Sequence, residues 1–491
     1  MVPIRTLVVA LLLFSATTWA KPPAEPVQAE QIFTRWLAAY NTGDSQELQA
    51  VLSTYGIDHT AQRYLDIRET FGPFDVLTRT LDTPDAIAAI MRGTSSDRGV
   101  LITVAIDPAN RPRLKTLQLE GVELPDAFKP TRLAMPVLLA QTRARLDALQ
   151  ARDKLSGSFL LAKDGKVLMA WEGGLADREQ GVPVDAATKF RLASLNKMFT
   201  AVAILQLAEA GKLSLDDTIA RHLEGYPNQA VATAVTLRQL LNHTSGLGEI
   251  FDEAFGTRKA SLKTLSDYWG VYGAAAPAFT PGTQDQYSNY GYILLGSIIE
   301  AASGQSYDAY VEKHIFDPAG MTSTGSAAEA TVVPGRAVPY TLSDGQWVRE
   351  TKTLPLRGTS AGGGYSTADD LLRFAEALRS GRFISSAGLQ AATSPQNTKG
   401  WYGYGFMVSG EGGQGQYGHE GGAPGANAAL IVLPSQGYVV LGLSNVDPDA
   451  MENVVNFVGN RLPLQPGRLS ASPAAPAATT PATQSPRPSA G

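Results

Sequence analysis

The chain has 491 residues, a formal net charge of -5, 44% hydrophobic side chains and no cysteine. That length supplies two folded domains with apolar cores. The lack of cysteine excludes disulfides and thiolate catalysis, and the charge balance leaves no electrostatic footprint for nucleic acid. The five histidines, His59, His222, His243, His314 and His419, form no HExxH or other close pair, so no metal and no other cofactor is expected.

Residues 1–20 combine a basic start at Arg5, an apolar run over 7–14 and a small residue, Ala20, before Lys21-Pro22-Pro23. This reads as a secretory signal peptide cut after Ala20. The run is too short to span a bilayer, so a periplasmic or secreted protein is expected, with no integral membrane segment after cleavage.

Residues 27–125 read as a small α+β domain. Phe33, Trp36, Leu37 and Tyr40 recur at helical spacing, Asn41-Thr42-Gly43 breaks the pattern, and Asp44 with Glu47 predicts a capping box for the next helix. Beyond Gly72-Pro73, apolar or alternating segments near 75–82, 86–92, 99–106 and 114–122 read as strands. Helices followed by a run of strands form an α+β unit, and this order of elements resembles the NTF2-like domains. No catalytic cluster falls within it, so its expected role is accessory: substrate presentation, dimerisation or docking.

A second domain is expected over 135–462. A helix near 136–153 leads into a hairpin, 159–162 and 167–171, turning through Lys163-Asp164-Gly165-Lys166. A second hairpin, 428–433 and 438–443, lies far downstream, with mostly helical segments between, which predicts one sheet made from both ends of the domain. After a helix over 449–461, residues 465–491 are Pro, Ala, Ser and Thr with scarcely an apolar side chain, a composition that cannot order itself by burial.

Ser194-Leu195-Asn196-Lys197 opens the predicted helix 194–210, which Gly211 closes. Residues i and i+3 are helical neighbours, so the amine reaches the hydroxyl. Tyr287-Ser288-Asn289 precedes an apolar helix over 293–302, and His419-Glu420-Gly421-Gly422 precedes the strand at 428. In this order the three motifs, SxxK, YxN and HxG, resemble the penicillin-recognising serine hydrolases: class C β-lactamases, D-alanyl-D-alanine carboxypeptidases, D-aminopeptidases and related esterases. The resemblance spans roughly 145–462 and includes Leu241-Asn242-His243-Thr244-Ser245-Gly246-Leu247 and Ala361-Gly362-Gly363-Gly364-Tyr365-Ser366-Thr367. It implies a β-lactamase/transpeptidase-like α+β fold: a mainly antiparallel sheet flanked by helices, plus a helical subdomain, with the site in the cleft between them.

The resemblance also implies roles. Ser194 is the nucleophile, Lys197 and Tyr287 shuttle protons, and Asn289 orients Lys197 and the substrate. The oxyanion lies between the backbone N–H groups of Ser194 and Gly422, with Gly421 and Gly422 allowing close approach. Free lysine and tyrosine are both largely protonated at neutral pH, so one must be perturbed, and the sequence leaves open which is the base. His419 stands where class C β-lactamases carry lysine, which weakens the grip on a substrate carboxylate; Glu420 adds a negative charge that faces either the cleft or solvent.

Two decoys compete. Tyr226-Pro227-Asn228 is a second YxN, but its proline marks an ordinary turn. Gly358-Thr359-Ser360-Ala361-Gly362 matches the G-x-S-x-G elbow, which needs a helix leading directly out; here Ser366 and Asp369 predict a capping box and a later helix start. Ser360 therefore ranks behind Ser194, and His243 and His59 are assigned to backbone bonding and to the accessory domain rather than to catalysis. The expectation is a secreted hydrolase of a small-molecule or peptide ester or amide, with a β-lactamase and a catalytically weak penicillin- or peptidoglycan-binding protein as rivals. The oligomeric state is left open.

Overall fold

The computed structural model describes residues 28–465 except 253–254, 344, 351, 354 and 411–414. The expected leader at 1–20 and nearly all of the expected tail lie outside the described residues. The chain divides into two compact units, one built on residues up to 124 and the other on 125 onwards, with 95–97 joining the second.

In the first unit, α1 (Ala29–Thr42), α2 (Ser45–Thr54) and α3 (Ala61–Phe71) precede an antiparallel sheet in sequential order, β1 (Phe74–Asp82), β2 (Ala86–Gly93), β3 (Gly99–Ile106) and β4 (Leu114–Val122). Ile32, Phe33, Trp36 and Tyr40 line one stripe of α1 and are buried, as helical periodicity demands. The helix stops at Gly43, whose left-handed φ of 75° few other residues adopt readily. Asp44 caps α2, accepting from the N–H groups of Gln46 at 2.8 Å and Glu47 at 2.9 Å. The reciprocal half of the expected box is not made: Glu47 accepts from Thr42 Oγ1 at 3.1 Å, and the Asp44 N–H donates to that same hydroxyl at 3.2 Å. Across the sheet, Ile87 faces Val104, Ala89 faces Ile102 and Met91 faces Val100. Strand alternation puts these six on one side, where they share a core with Trp36 and Tyr40.

In the second unit, α4 (Met135–Ala151) carries Pro136 in its first turn, where no N–H is needed. It leads into β5 (Gly157–Lys163) and β6 (Lys166–Gly173), joined through Asp164 and Gly165 at φ 49° and 75°, the primed geometry that suits strand twist. With β7 (Met407–Ser409), β8 (Gln416–Ala423), β9 (Ala426–Leu433) and β10 (Tyr438–Ser444) they form a six-stranded antiparallel sheet in the order β7-β8-β9-β10-β5-β6. The late strand β10 pairs with the early strand β5, Leu441 facing Leu160, so both ends of the domain do build one sheet.

Every residue of β9 and β10 is buried, because the sheet is covered on both faces. Leu160, Leu430, Val432 and Leu441 face a core that includes α5 (Asn196–Glu209) and α6 (Asn289–Ser303). Phe159, Ile431 and Val440 face the opposite core, shared with α4 and the last helix. Helix α5 is buried all round, eleven of its fourteen residues being inside, which makes it a rigid central mount. Helix α7 (Ala368–Arg379) is capped by Thr367, which accepts from the Asp370 N–H. The cap thus falls one residue after the expected Ser366, and Asp369 instead accepts from Arg373 at 2.9 Å. Helix α8 (Ala450–Arg461) closes the fold.

Candidate active site

Ser194 stands in a 3-10 turn, Ala193–Leu195, that precedes α5 rather than inside the helix expected over 194–210. The turn closes through the Leu195 N–H donating to the Leu192 carbonyl at 3.1 Å, and Gly363 donates to the Ala193 carbonyl at 3.0 Å. Ala193 takes the left-handed φ of 45°, a local strain of about 1 kcal/mol that the surrounding bonds must hold in place. Lys197 follows in the first turn of α5, and residues i and i+3 are neighbours along helical backbone, so the partly exposed Ser194 hydroxyl lies 3.2 Å from Lys197 Nζ.

Lys197 is wholly buried. Its amine donates to Asn289 Oδ1 at 2.7 Å and to the Ala361 carbonyl, and stands 4.8 Å from the centre of the Tyr287 ring. Burial pushes its pKa down to about 7, against an opposing pull from Glu249. Burial holds the Tyr287 phenol well above its ordinary range, against a smaller downward influence from Ser194. The perturbation therefore falls on the lysine: the amine is partly neutral near pH 7 and the tyrosine is protonated.

The YxN motif owes its spacing to a helix cap. Ser288 is extended, with φ -138° and ψ 111°, and caps α6 by accepting from the Gly291 N–H at 2.9 Å. An extended residue sends its two neighbours to the same side, which brings Tyr287 and Asn289 together on Lys197. His243, at φ 63°, holds this segment: its Nδ1 accepts from the Ser288 N–H at 3.1 Å and its ring packs 4.2 Å from that of Tyr287. Burial keeps His243 neutral, its pKa well below the ordinary value.

The third motif lies on β8. His419 is buried, its Nδ1–H donating to the Glu420 carbonyl at 2.6 Å and its Nε2 accepting from the Tyr402 hydroxyl at 2.8 Å. Burial first, and the Lys197 charge second, push its pKa down to about 3, so it is a neutral hydrogen-bonding group. Its ring lies 6.5 Å from that of Tyr287. Glu420 accepts from Asn456 Nδ2 of α8 at 2.9 Å, which ties it to the helix covering the sheet. At Gly421 a Cβ would sit 2.4 Å from the Leu192 carbonyl oxygen and 3.1 Å from the Ser194 nitrogen, so only glycine lets the strand approach the Ser194 turn. Gly422 differs from expectation: the space its Cβ would fill is bounded by Pro448 at 3.0 Å and not by the turn.

With this geometry in view, residues 142–462 match the family described as Beta-lactamase. The chain belongs to that family. Penicillin-binding protein 4* of Bacillus subtilis (strain 168) is 33% identical over 325 residues, 62% of this chain and 71% of the relative. Esterase EstB of Burkholderia gladioli is 32% identical over 291 residues, 52% of this chain and 74% of the relative. The structure of a D-stereospecific amidohydrolase from Streptomyces sp. superimposes with a TM-score of 0.54 at 27% identity, covering 65% of this chain and 97% of that one. This Beta-lactamase family member is thus an enzyme of the β-lactamase-related serine hydrolases, a family that includes penicillin-binding proteins, esterases and amidases.

The decoys have structural uses in this family member. Ser360 is fully buried and its hydroxyl has no partner among the described residues. Its segment serves α5 through backbone carbonyls: Thr359 accepts from Asn196 Nδ2 at 2.6 Å, Ser360 from Thr200 Oγ1 at 2.7 Å, and Ala361 from Lys197. Tyr226 bonds the Tyr290 hydroxyl at 3.0 Å, and Asn228 caps a helix by accepting from Val231. His59 bonds Tyr64 at 2.9 Å in the first unit.

Sequence reasoning missed Glu249, whose carboxylate accepts from Asn289 Nδ2 at 2.6 Å and from the Asn289 N–H at 3.2 Å. Its one signal is its place two residues after the His243–Leu247 segment. Tyr402, the partner of His419, had no signal. Among the described residues no group of three or more His, Cys, Asp or Glu is assembled to hold a metal, and no helix is long and apolar enough to cross a membrane.

Proposed function

We infer that this enzyme hydrolyses an ester or amide through an acyl group carried on Ser194, with Lys197 as the base. One observation carries the reading: two N–H bonds of the buried amine point at Asn289 Oδ1 and the Ala361 carbonyl. The lone pair of the neutral form is left for the Ser194 proton. Ser194 Oγ attacks the acyl carbonyl as its proton passes to Lys197. The oxyanion rests between the N–H groups of Ser194 and Gly422. The proton moves through Tyr287 to the leaving group, whose bond to the acyl carbon breaks. Water then attacks the acyl-enzyme, giving its proton back along Tyr287 and Lys197 to Ser194 as the ester bond breaks. Asn289 holds Lys197 in line.

The neutral, buried His419 supports an acyl donor that needs no cationic grip on a carboxylate, which favours esterase, amidase or peptidase activity over hydrolysis of penicillins. Residues 1–20 support export to the periplasm or the medium. The three helices and sequential sheet of the first unit support the NTF2-like reading, with an accessory role. Purified protein incubated with a p-nitrophenyl ester, a D-Ala-D-Ala peptide and a fluorescent penicillin tests the proposal. Ester or peptide turnover that Ser194→Ala abolishes is expected. Rapid penicillin hydrolysis would favour a β-lactamase, and no acylation at all would favour a binding protein.

A further inference from the structure

We propose that Glu249 sets the charge preference of the site: it favours acyl donors that carry a cationic amine near the scissile carbonyl and rejects those that carry a carboxylate there. This rests on the Ser194 acyl-enzyme reading. Glu249 is exposed, and its carboxylate is fixed by two bonds from Asn289. The other end of the Asn289 amide touches Lys197 Nζ, which in turn touches Ser194 Oγ. The carboxylate is therefore one side-chain amide away from the amine that serves the nucleophile.

Its field reaches the centre, since it opposes the downward shift of Lys197 and adds to the upward shift of Tyr287. No Lys, Arg or His lies within salt-bridge distance of it among the described residues, so no neighbouring cation neutralises it. The remaining groups of the centre offer no fixed positive charge: His419 is neutral, and Lys197 is buried with its N–H bonds already engaged. A substrate ammonium is the complementary partner for an exposed, oriented carboxylate at the lip of such a site. A substrate carboxylate placed beside Glu249 is repelled by it.

Glu249 also orients the Asn289 amide, with nitrogen towards the carboxylate and oxygen towards the lysine. That positioning affects every substrate equally, whereas the charge preference affects only their ratio. The test uses matched p-nitrophenyl esters whose acyl chains end in an ammonium, a hydroxyl or a carboxylate, measured on the full chain. Wild-type kcat/KM should fall in that order, and added salt should narrow the spread. In Glu249→Gln the ratio of ammonium to carboxylate ester should drop by at least about ten-fold, the worth of a unit-charge pair at roughly 7 Å and an effective dielectric of about 35. Glu249→Asp, which keeps the charge, should retain a preference for the ammonium ester. A ratio unmoved in Glu249→Gln, or a wild-type preference for the carboxylate ester, overturns the proposal. Ser194→Ala separates the two readings: if it still turns over the esters, the acyl-enzyme account has failed. If it is inactive while the Glu249→Gln ratio is unmoved, only the charge preference has failed.

Discussion

Ser194 and Ser360 both sit in short turns, only the second of them flanked by glycines, and the backbone of the second supports the helix that follows the first. Their surroundings differ in three ways. Ser194 is partly exposed and lies 3.2 Å from an amine whose pKa is pushed down to about 7, and that amine stands 4.8 Å from the centre of the Tyr287 ring. Ser360 is fully buried, its hydroxyl has no partner among the described residues, and it packs against Gly296, where a Cβ would come within 2.2 Å of Oγ. A serine is a nucleophile by virtue of a base, an approach path and an acceptor for the developing charge. The G-x-S-x-G pattern supplies none of these unless strand, turn and helix are arranged around it.

Removing the proposed base should break the contrast most severely. Lys197→Met should lower kcat/KM by on the order of 10³–10⁴-fold, the upper range for general acid–base catalysis. The same change should raise the melting temperature. With a folded pKa near 7 against an ordinary 10.5, the unfolded chain binds a proton that the folded chain lacks between those values. Wild-type stability therefore rises with pH across that window. The gain from Lys197→Met should accordingly be larger at pH 6 than at pH 9, as followed by thermal unfolding. Gly421→Ala comes next, with a loss of about 10²-fold in kcat expected, because the methyl displaces the Ser194 turn.

The pH profile of the wild-type enzyme sharpens the contrast further. In the proposed mechanism only neutral Lys197 accepts the Ser194 proton, so kcat/KM should fall about ten-fold per unit as pH drops below 7, with no contribution from the neutral His419. Ser360→Ala should have the smallest effect. It should leave turnover near the wild-type level and keep stability within about 1 kcal/mol, since it removes a hydroxyl that has no partner among the described residues.

Much of this was legible because it follows from local periodicity and motif order. The β5–β6 hairpin, the pairing of early and late strands, and the meeting of Ser194, Lys197, Tyr287, Asn289 and His419 all rest on patterns written in consecutive residues. What stayed hidden depends on distant backbone. No glycine marks the left-handed Ala193, so the 3-10 turn ahead of α5 looked like helix. The Ala361 carbonyl that meets Lys197 has no side-chain signature. The proposal of Lys197 rather than Tyr287 as base rests on burial, which no spacing reports. Likewise His419 could be read as uncharged, but not as a side chain held inside the sheet by Tyr402.

The central claim is that Ser194, and not Ser360, receives the acyl group. Intact-mass spectrometry followed by peptide mapping, after exposure to a slowly released activated ester, tests it directly. Wild type and Ser360→Ala should each gain one acyl mass on the peptide containing Ser194, while Ser194→Ala should gain none. Acylation of Ser194→Ala at Ser360, or loss of labelling in Ser360→Ala alone, would contradict the account.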